Sequence, residues 1–345
     1  MARKENYYST ADIVRIVCIV LLILAAYGLP ASNITSLICI AFNAAVGVLF
    51  TIYGYFTIRE GRDFTGSLKR TLKTFLIMFV IYFLLTCVYM LFVYGTPFGW
   101  LTKREIFEIV VLNYWGPSFG CTIWMIQSQL YALIAFKIMD KLGLMKFDMI
   151  FCVIFFVIAI LLGEGAGIIQ LNVLGYSVIP GNFLTRAMPY MLLGRIIYRN
   201  RAKIRSLPTV LLAILLIVGL GLGIGEFFLL SFLGVLRYYN HAIGYILTAF
   251  AAMALILKKP SLGRKNFLVG LNEKMIFPMY AIFNPIAEIM IIVILLVAQT
   301  EEVYNQLMSG VGIVTALLAF GASVVIALVG SWLQYNSSVK SKKQS

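Results

Sequence analysis

Four charged side chains, Asp12, Arg15, Arg186 and Glu288, stand inside long apolar stretches of this 345-residue chain. An ionised group is costly in such surroundings, so each marks a site by default. An arginine keeps its charge at any ordinary pH and can hold an anion or polarise a carbonyl. Asp12 and Arg15 are three residues apart and can neutralise each other, either as an anchoring pair or as part of a site. Glu288 sits mid-stretch with no basic neighbour on its own segment, so it needs a partner from elsewhere or must be protonated; Arg186 is a candidate partner and equally a candidate anion ligand. His241 is the single histidine. Alone at the start of a stretch, it reads as structural or solvated, with a general-base role as the alternative. Glu164 and Glu226 fall at stretch ends and read as solvated. No HExxH, P-loop or His/Cys/Asp cluster occurs, which leaves metal-assisted and nucleotide hydrolysis without a motif.

The elements that must position these groups are ten apolar runs: Asp12–Leu29, Asn33–Ile58, Leu72–Tyr94, Thr122–Met139, Met149–Leu162, Asn182–Tyr198, Thr209–Leu230, His241–Leu257, Met275–Ala298 and Leu307–Trp332. Most approach the roughly 20 residues that carry a helix across a bilayer core of about 30 Å. The fold expected is therefore all-α and polytopic, with about ten transmembrane helices in one membrane domain. Of the 28 Lys and Arg, 23 lie in the N-terminus, in alternate gaps or the run ends bordering them, and in the C-terminus, while Lys103, Arg104 and Arg237 fall in the opposite gaps. By the positive-inside rule this predicts that both termini are cytoplasmic, in agreement with the parity of ten spans.

With 61% hydrophobic and 12% charged residues, a soluble domain of this length is excluded. The formal charge of +14 describes loops facing anionic lipid. It does not indicate nucleic acid, because the basic residues are dispersed rather than gathered on an aromatic face. Arg3 and Lys4 ahead of an apolar run superficially resemble a signal peptide, but removing that run would break the charge parity. The tails, Met1–Thr10 and Tyr335–Ser345, are too short to fold alone. The five cysteines lie in or at the edges of apolar runs without a CxxC pair, and so read as small buried hydrophobes.

Among the gaps, Arg59–Asp63 and Arg199–Lys203 read as solvated basic connectors that set topology. Thr102–Val111 places Ile106, Phe107, Val110 and Val111 at helical spacing among charges, which predicts a short helix on the outer interface near Tyr114 and Trp115. Gly163–Gly181 lacks Lys and Arg and is expected to dip back toward the membrane or cover a cavity. The glycines Gly219, Gly221, Gly223 and Gly225 favour close helix packing.

Several segments, in order along the whole length, resemble the acyltransferase-3 family of ten-helix membrane proteins. Asp12-Ile13-Val14-Arg15-Ile16-Val17 is similar to that family's D-x-L-R-x-I/L start. Leu49-Phe50-Thr51-Ile52-Tyr53-Gly54-Tyr55-Phe56 resembles its F-F-x-I/L-S-G-Y/F-F segment, and Lys69-Arg70 its K/R-R pair before helix three. Thr122-Ile123-Trp124-Met125-Ile126 resembles P-L/x-W-Y/F-L. Arg186 through Met191-Leu192-Leu193-Gly194 resembles R-x-x-x-F-F-L-G, and Tyr280-Ala281-Ile282-Phe283-Asn284-Pro285-Ile286 resembles Y-L-I-H-x-P. The resemblance implies transfer of a small acyl group, acetyl or similar, from cytoplasmic acyl-CoA to a cell-surface glycan or related acceptor. It also implies a multi-pass protein of a bacterial cytoplasmic membrane. Arg15 and Tyr27 would be the catalytic residues, and Arg186, Glu288, Asn284 and Trp124 would bind substrate, with no metal.

Three departures bear on the chemistry. Where the family carries histidine, this chain has Ala26, with Tyr27 adjacent, and Phe283; Tyr53 replaces the serine of the S-G pair. A base that takes the acceptor proton is worth typically 10²–10⁴ in rate. Alanine cannot supply it, and a tyrosine with an ordinary pKa near 10 needs a large downward shift to do so. Two rival readings therefore stand beside the enzyme: a non-catalytic member that moves or binds a small polar molecule, and a structural partner in surface-polymer assembly.

Overall fold

The computed structural model describes residues 8–27, 40–41, 43–59, 63–98, 102–111, 113, 123–162, 183–235, 243–262, 286–287, 289–291, 293–294, 297–298 and 300–344. Among them the secondary structure is helical, without strands. The chain packs as two compact units, one formed by residues 1–42 and 259–345, the other by residues 43–258.

In the first unit, α1 (Ser9–Tyr27) begins at a latch of hydroxyls. Ser9 Oγ donates to the carbonyl of Leu262 at 2.8 Å, Thr10 Oγ1 donates to the carbonyl of Lys259, and the Leu262 N–H returns to Thr10 Oγ1 at 3.1 Å. Ser and Thr satisfy helix-terminal backbone groups in this way. The last helix, α11 (Glu301–Gln344), has 44 residues and a length of about 66 Å. It bends by 41° between Glu302–Met308 and Ile313–Ile326, and Ser309-Gly310 lies at that break, the kind of small-residue pair that kinks helices.

In the second unit, α2 (Ala44–Thr57) is buried along nearly its whole length. It is followed by α3 (Thr65–Tyr94), α4 (Lys103–Val110), α5 (Ile123–Lys141), a 3₁₀ turn at Leu144–Phe147, and α6 (Asp148–Leu162). Then come α7 (Ala187–Arg199), α8 (Arg201–Ser206), α9 (Thr209–Phe232) and α10 (Ile243–Lys258). α2 and α7 cross at Gly54 and Gly194: a Cβ on Gly54 would stand 2.2 Å from the Met191 carbonyl oxygen, and one on Gly194 would stand 2.2 Å from that of Thr51. Backbones approach this closely only where side chains are absent. α9 and α10 meet through Gly219, Gly223 and Gly244 in the same manner, as the glycine pattern predicts. Gly221 and Gly225, on another face of α9, meet nothing within 4 Å.

The short helix expected at Thr102–Val111 is α4. Its start carries a capping box between Thr102 and Glu105, which satisfies backbone donors reciprocally, and its Ile106, Phe107, Val110 and Val111 are exposed.

The count of spans is where the sequence expectation and the structure differ in resolution. Among the described residues three helical segments are long and apolar enough to cross a membrane (Thr65–Val88, Leu144–Leu162 and Thr209–Phe232), or four if the bent α11 pair is one span. α2 and α10 are apolar but shorter. The sixth run also yields less helix than expected: residues 183–186 form turns and α7 starts only at Ala187. The ninth run lies mostly outside the described residues, as does the glycine-rich segment Gly163–Gly181.

Candidate functional site

Trp124, Gln127, Ser128 and Tyr131 recur at i, i+3, i+4 and i+7, so they share one face of α5. That stripe places polar groups in the apolar first half of the helix, and its partners account for its polarity. Gln127 Nε2 donates to the Ile109 carbonyl at 2.8 Å, and the Tyr131 hydroxyl donates to that of Val110 at 2.6 Å. Both carbonyls belong to the last turn of α4, where no intrahelical donor remains, so α5 caps α4 and fixes it in place. Just beyond α4, Asn113 is buried with a left-handed backbone, φ 55°, a conformation that asparagine tolerates better than most residues. Its Nδ2 donates to the Trp124 carbonyl at 3.3 Å and to Ser128 Oγ, which assigns the amide orientation. Its Oδ1 is buried and accepts no hydrogen bond among the described residues.

Arg186 is the N-cap residue of α7, and its guanidinium carbon lies 5.0 Å from the centroid of the Trp124 ring. A cation over an indole face is worth about 0.5–2 kcal/mol, more as water is excluded. Phe50 of α2 closes on the same indole at 6.2 Å, and Phe183 meets Tyr131 edge to face at 5.5 Å. The structure thus brings together Arg186 and Trp124, two residues singled out in the sequence, and adds Asn113, Gln127, Ser128 and Tyr131. The signal for three of these additions was the polar spacing on α5; Asn113 has no local signal.

At the opposite end of α7 is a second charged cluster. Asp148, the first residue of α6, is fully buried; Arg195 Nε approaches its Oδ2 at 3.1 Å and Arg199 Nη1 its Oδ1 at 2.9 Å. Two arginines four apart on α7 therefore clamp one carboxylate, tying α6 to α7. The Tyr198 ring is flanked by the guanidinium of Arg59 at 5.3 Å and that of Arg201 at 4.4 Å. Phe56 lies beneath Arg59 at 5.6 Å. Two of these arginines correct the reading of the basic connectors as purely solvated: Arg59 is only partly exposed, and Arg199 is paired with the buried Asp148.

In the first unit, Arg15 Nη1 meets Asp12 Oδ1 at 3.4 Å, as the three-residue spacing suggests. α1 is continuous from Arg15 to Tyr27, so the two α-carbons are about 18 Å apart along the axis and about 120° apart around it. Position 26 stands about 20° from Arg15 around the axis, and alanine occupies it. Asn284, Glu288, Phe283 and His241 lie outside the described residues, and so does the side chain of Tyr27. Glu226, read as solvated, is instead half-enclosed and accepts the Ile243 N–H at 2.8 Å, which caps the start of α10.

A family model described as an acyltransferase domain, of the acyltransferase-3 type, matches residues 8–335. The chain belongs to the acyltransferase-3 family. Membership of the acyltransferase-3 family and the apolar helices together make this a membrane protein. No curated protein and no solved structure matches the chain. The acyltransferase-3 match covers α1 through most of α11 and so includes both clusters on α7.

Proposed function

We propose that this protein transfers a small acyl group from cytoplasmic acyl-CoA to a hydroxyl of an extracytoplasmic acceptor, a surface glycan or a related molecule. The observation that carries the reading is Arg186 held over Trp124 beside the buried polar face of α5, in a chain whose family match spans residues 8–335. An indole and a guanidinium with adjacent amides and hydroxyls suit a polyhydroxylated acceptor. The termini are cytoplasmic in this reading, and the Arg186 end of α7 faces outward.

In the transfer, the acceptor oxygen attacks the thioester carbonyl carbon. The C–O bond forms, the C–S bond breaks, and the acceptor proton leaves with the thiol. The donor supplies the activated carbonyl. Arg186 and Trp124 orient the acceptor, with Asn284 and Glu288 as further substrate ligands on the ninth run. Arg15, charged throughout, holds or polarises the donor. Tyr27, next to the position that the family's histidine occupies, is the proton acceptor in this reading; its α-carbon is about 18 Å along α1 from that of Arg15, so the two act on different parts of the substrates. Positioning alone supplies part of the acceleration.

A second reading, binding or passage of a small polar molecule without catalysis, draws on Ala26, an apolar residue at the position that the family's histidine occupies. One experiment decides between them: mass spectrometry of surface glycans from cells with and without the chain. Loss of an acyl mass on deletion, restored by wild type and not by Arg186→Gln, supports transfer. Glycans unchanged by deletion refute it and leave the binding reading.

A further inference from the structure

We infer that the end of α7 remote from Arg186 is a binding site for a phosphate group, built from Arg59, Arg199, Arg201 and the Tyr198 ring. Arg59, Arg195, Arg199 and Arg201 converge there, and Asp148 is the one carboxylate that any of them touches among the described residues. Asp148 is already divided between Arg195 and Arg199. Arg59 and Arg201 are both held against the Tyr198 ring, which places two like charges within about 10 Å of each other, a repulsive arrangement in a medium of reduced dielectric. The ring and Phe56 grip Arg59 by its faces, and its Nε is buried without a hydrogen bond.

Such a cluster is suited to an anion. A guanidinium held by its faces has its edge left for bidentate contact, and bidentate contact is the geometry in which arginine binds phosphate. Lipid-facing topology determinants need no such order: a lysine free in water sets orientation equally well. Here Arg59 is oriented by aromatic rings, Arg201 by the Tyr198 ring and by Nη1 donating to the Tyr198 carbonyl at 3.1 Å, which leaves its other N–H groups for an anion, and Arg199 by a buried carboxylate.

The phosphate has two sources, the nucleotide portion of a thioester donor or the headgroup of an anionic phospholipid. Assignment to the donor rests on the proposed function; the phosphate site does not. α7 has 13 residues, so the site lies about 20 Å from Arg186 along the helix.

The test uses the full-length protein in nanodiscs. Coenzyme A binding is measured by calorimetry in phosphatidylcholine discs, and retention of phosphatidylglycerol by native mass spectrometry. Wild type is compared with Arg59→Gln, Arg201→Gln and a control, Lys203→Gln, which removes the same charge beside the site. The expected result is a tenfold or greater loss in one of the two arms for Arg59→Gln and Arg201→Gln, with the control within twofold of wild type. Loss in the coenzyme A arm identifies the donor as the source, and loss in the lipid arm identifies the headgroup. Arg201 is exposed, so Arg201→Gln reports even if Arg59→Gln fails to fold. Failure of wild type to bind either probe, or equal losses in the control, overturns the site. Unchanged surface glycans on deletion of the chain, with coenzyme A or lipid binding retained, refute acyl transfer and leave the phosphate site standing.

Discussion

Gly194→Ala places one methyl group in the α2–α7 crossing, and the structure sets its effect. The new Cβ would lie 2.2 Å from the Thr51 carbonyl oxygen and 2.6 Å from the Tyr55 nitrogen. Both obstructing atoms are backbone, so no side chain can swing aside. The helices must part by about 1 Å to reach ordinary contact, and overpacking of this kind costs about 1–3 kcal/mol. Against it stands the better helix propensity of alanine, about 1 kcal/mol, which leaves a net loss of up to about 2 kcal/mol and a deficit of about 1–3 kcal/mol relative to the same substitution at an unobstructed helical glycine. Gly221→Ala is the internal control: that glycine also lies in a helix, α9, and meets nothing within 4 Å, so the same substitution should be neutral or mildly stabilising. Thermal unfolding in detergent, read as the fraction of monodisperse protein left after heating, measures both variants against wild type. Gly194→Ala should melt several degrees below Gly221→Ala. Equal melting of the two would refute the claim that backbone contact holds α2 on α7.

Asp148→Asn leaves Arg195 and Arg199 without their carboxylate; breaking a buried pair costs about 3–5 kcal/mol, and the partial exposure of Arg199 places the expected loss at or below the lower end, read by the same melting assay. Trp124→Leu should weaken acceptor use several-fold in the glycan assay while protein level holds, and Arg186→Lys should fail to restore activity, because an ammonium does not stack as a guanidinium does. The Asp63 carboxyl is held below the usual carboxylate range by hydrogen bonds from the Thr65 hydroxyl and N–H ahead of α3. Its contribution is therefore present above the unfolded-state pKa and is lost as pH falls through the lower folded-state pKa; Asp63→Asn should flatten that acid limb in melts between pH 6 and 3, and an unaltered limb would show that Asp63 contributes nothing. Restoring the family's bases with Ala26→His and Phe283→His should raise acyl transfer in the glycan assay, whereas no gain would indicate a cavity put to another use.

Legibility followed sequence distance. α9 was readable almost to the residue, since an unbroken apolar run from Thr209 needs no partner to be recognised. α4 was readable because its apolar spacing is local; its capping box, local too, emerged only in the structure. Arg186 and Trp124 stood out by residue type and motif, and the structure brings them to one place. What the sequence hid was pairing between distant elements. Asp148 borders the fifth apolar run with no local sign of burial, and it is Arg195 and Arg199, some fifty residues on, that pair with it. Asn113 lies in a polar gap and draws its interest from Trp124 and Ser128, which are carried by another helix. Glu226 looked like a helix-end carboxylate in water, yet it caps the start of α10.

The shortness of α7 has an electrical consequence. α7 is packed inside the protein along most of its length and, in the proposed orientation, is roughly 10 Å shorter than a hydrocarbon layer of about 30 Å, so water must reach one or both of its ends. The resting membrane voltage would then drop over a compressed path, and the local field along α7 would be correspondingly steeper. Moving one charge through a full 100 mV is worth about 2.3 kcal/mol whatever the path length. The compressed path concentrates that work into the few residues between Arg186 and Arg195, where small displacements of an anionic group would respond to membrane energisation.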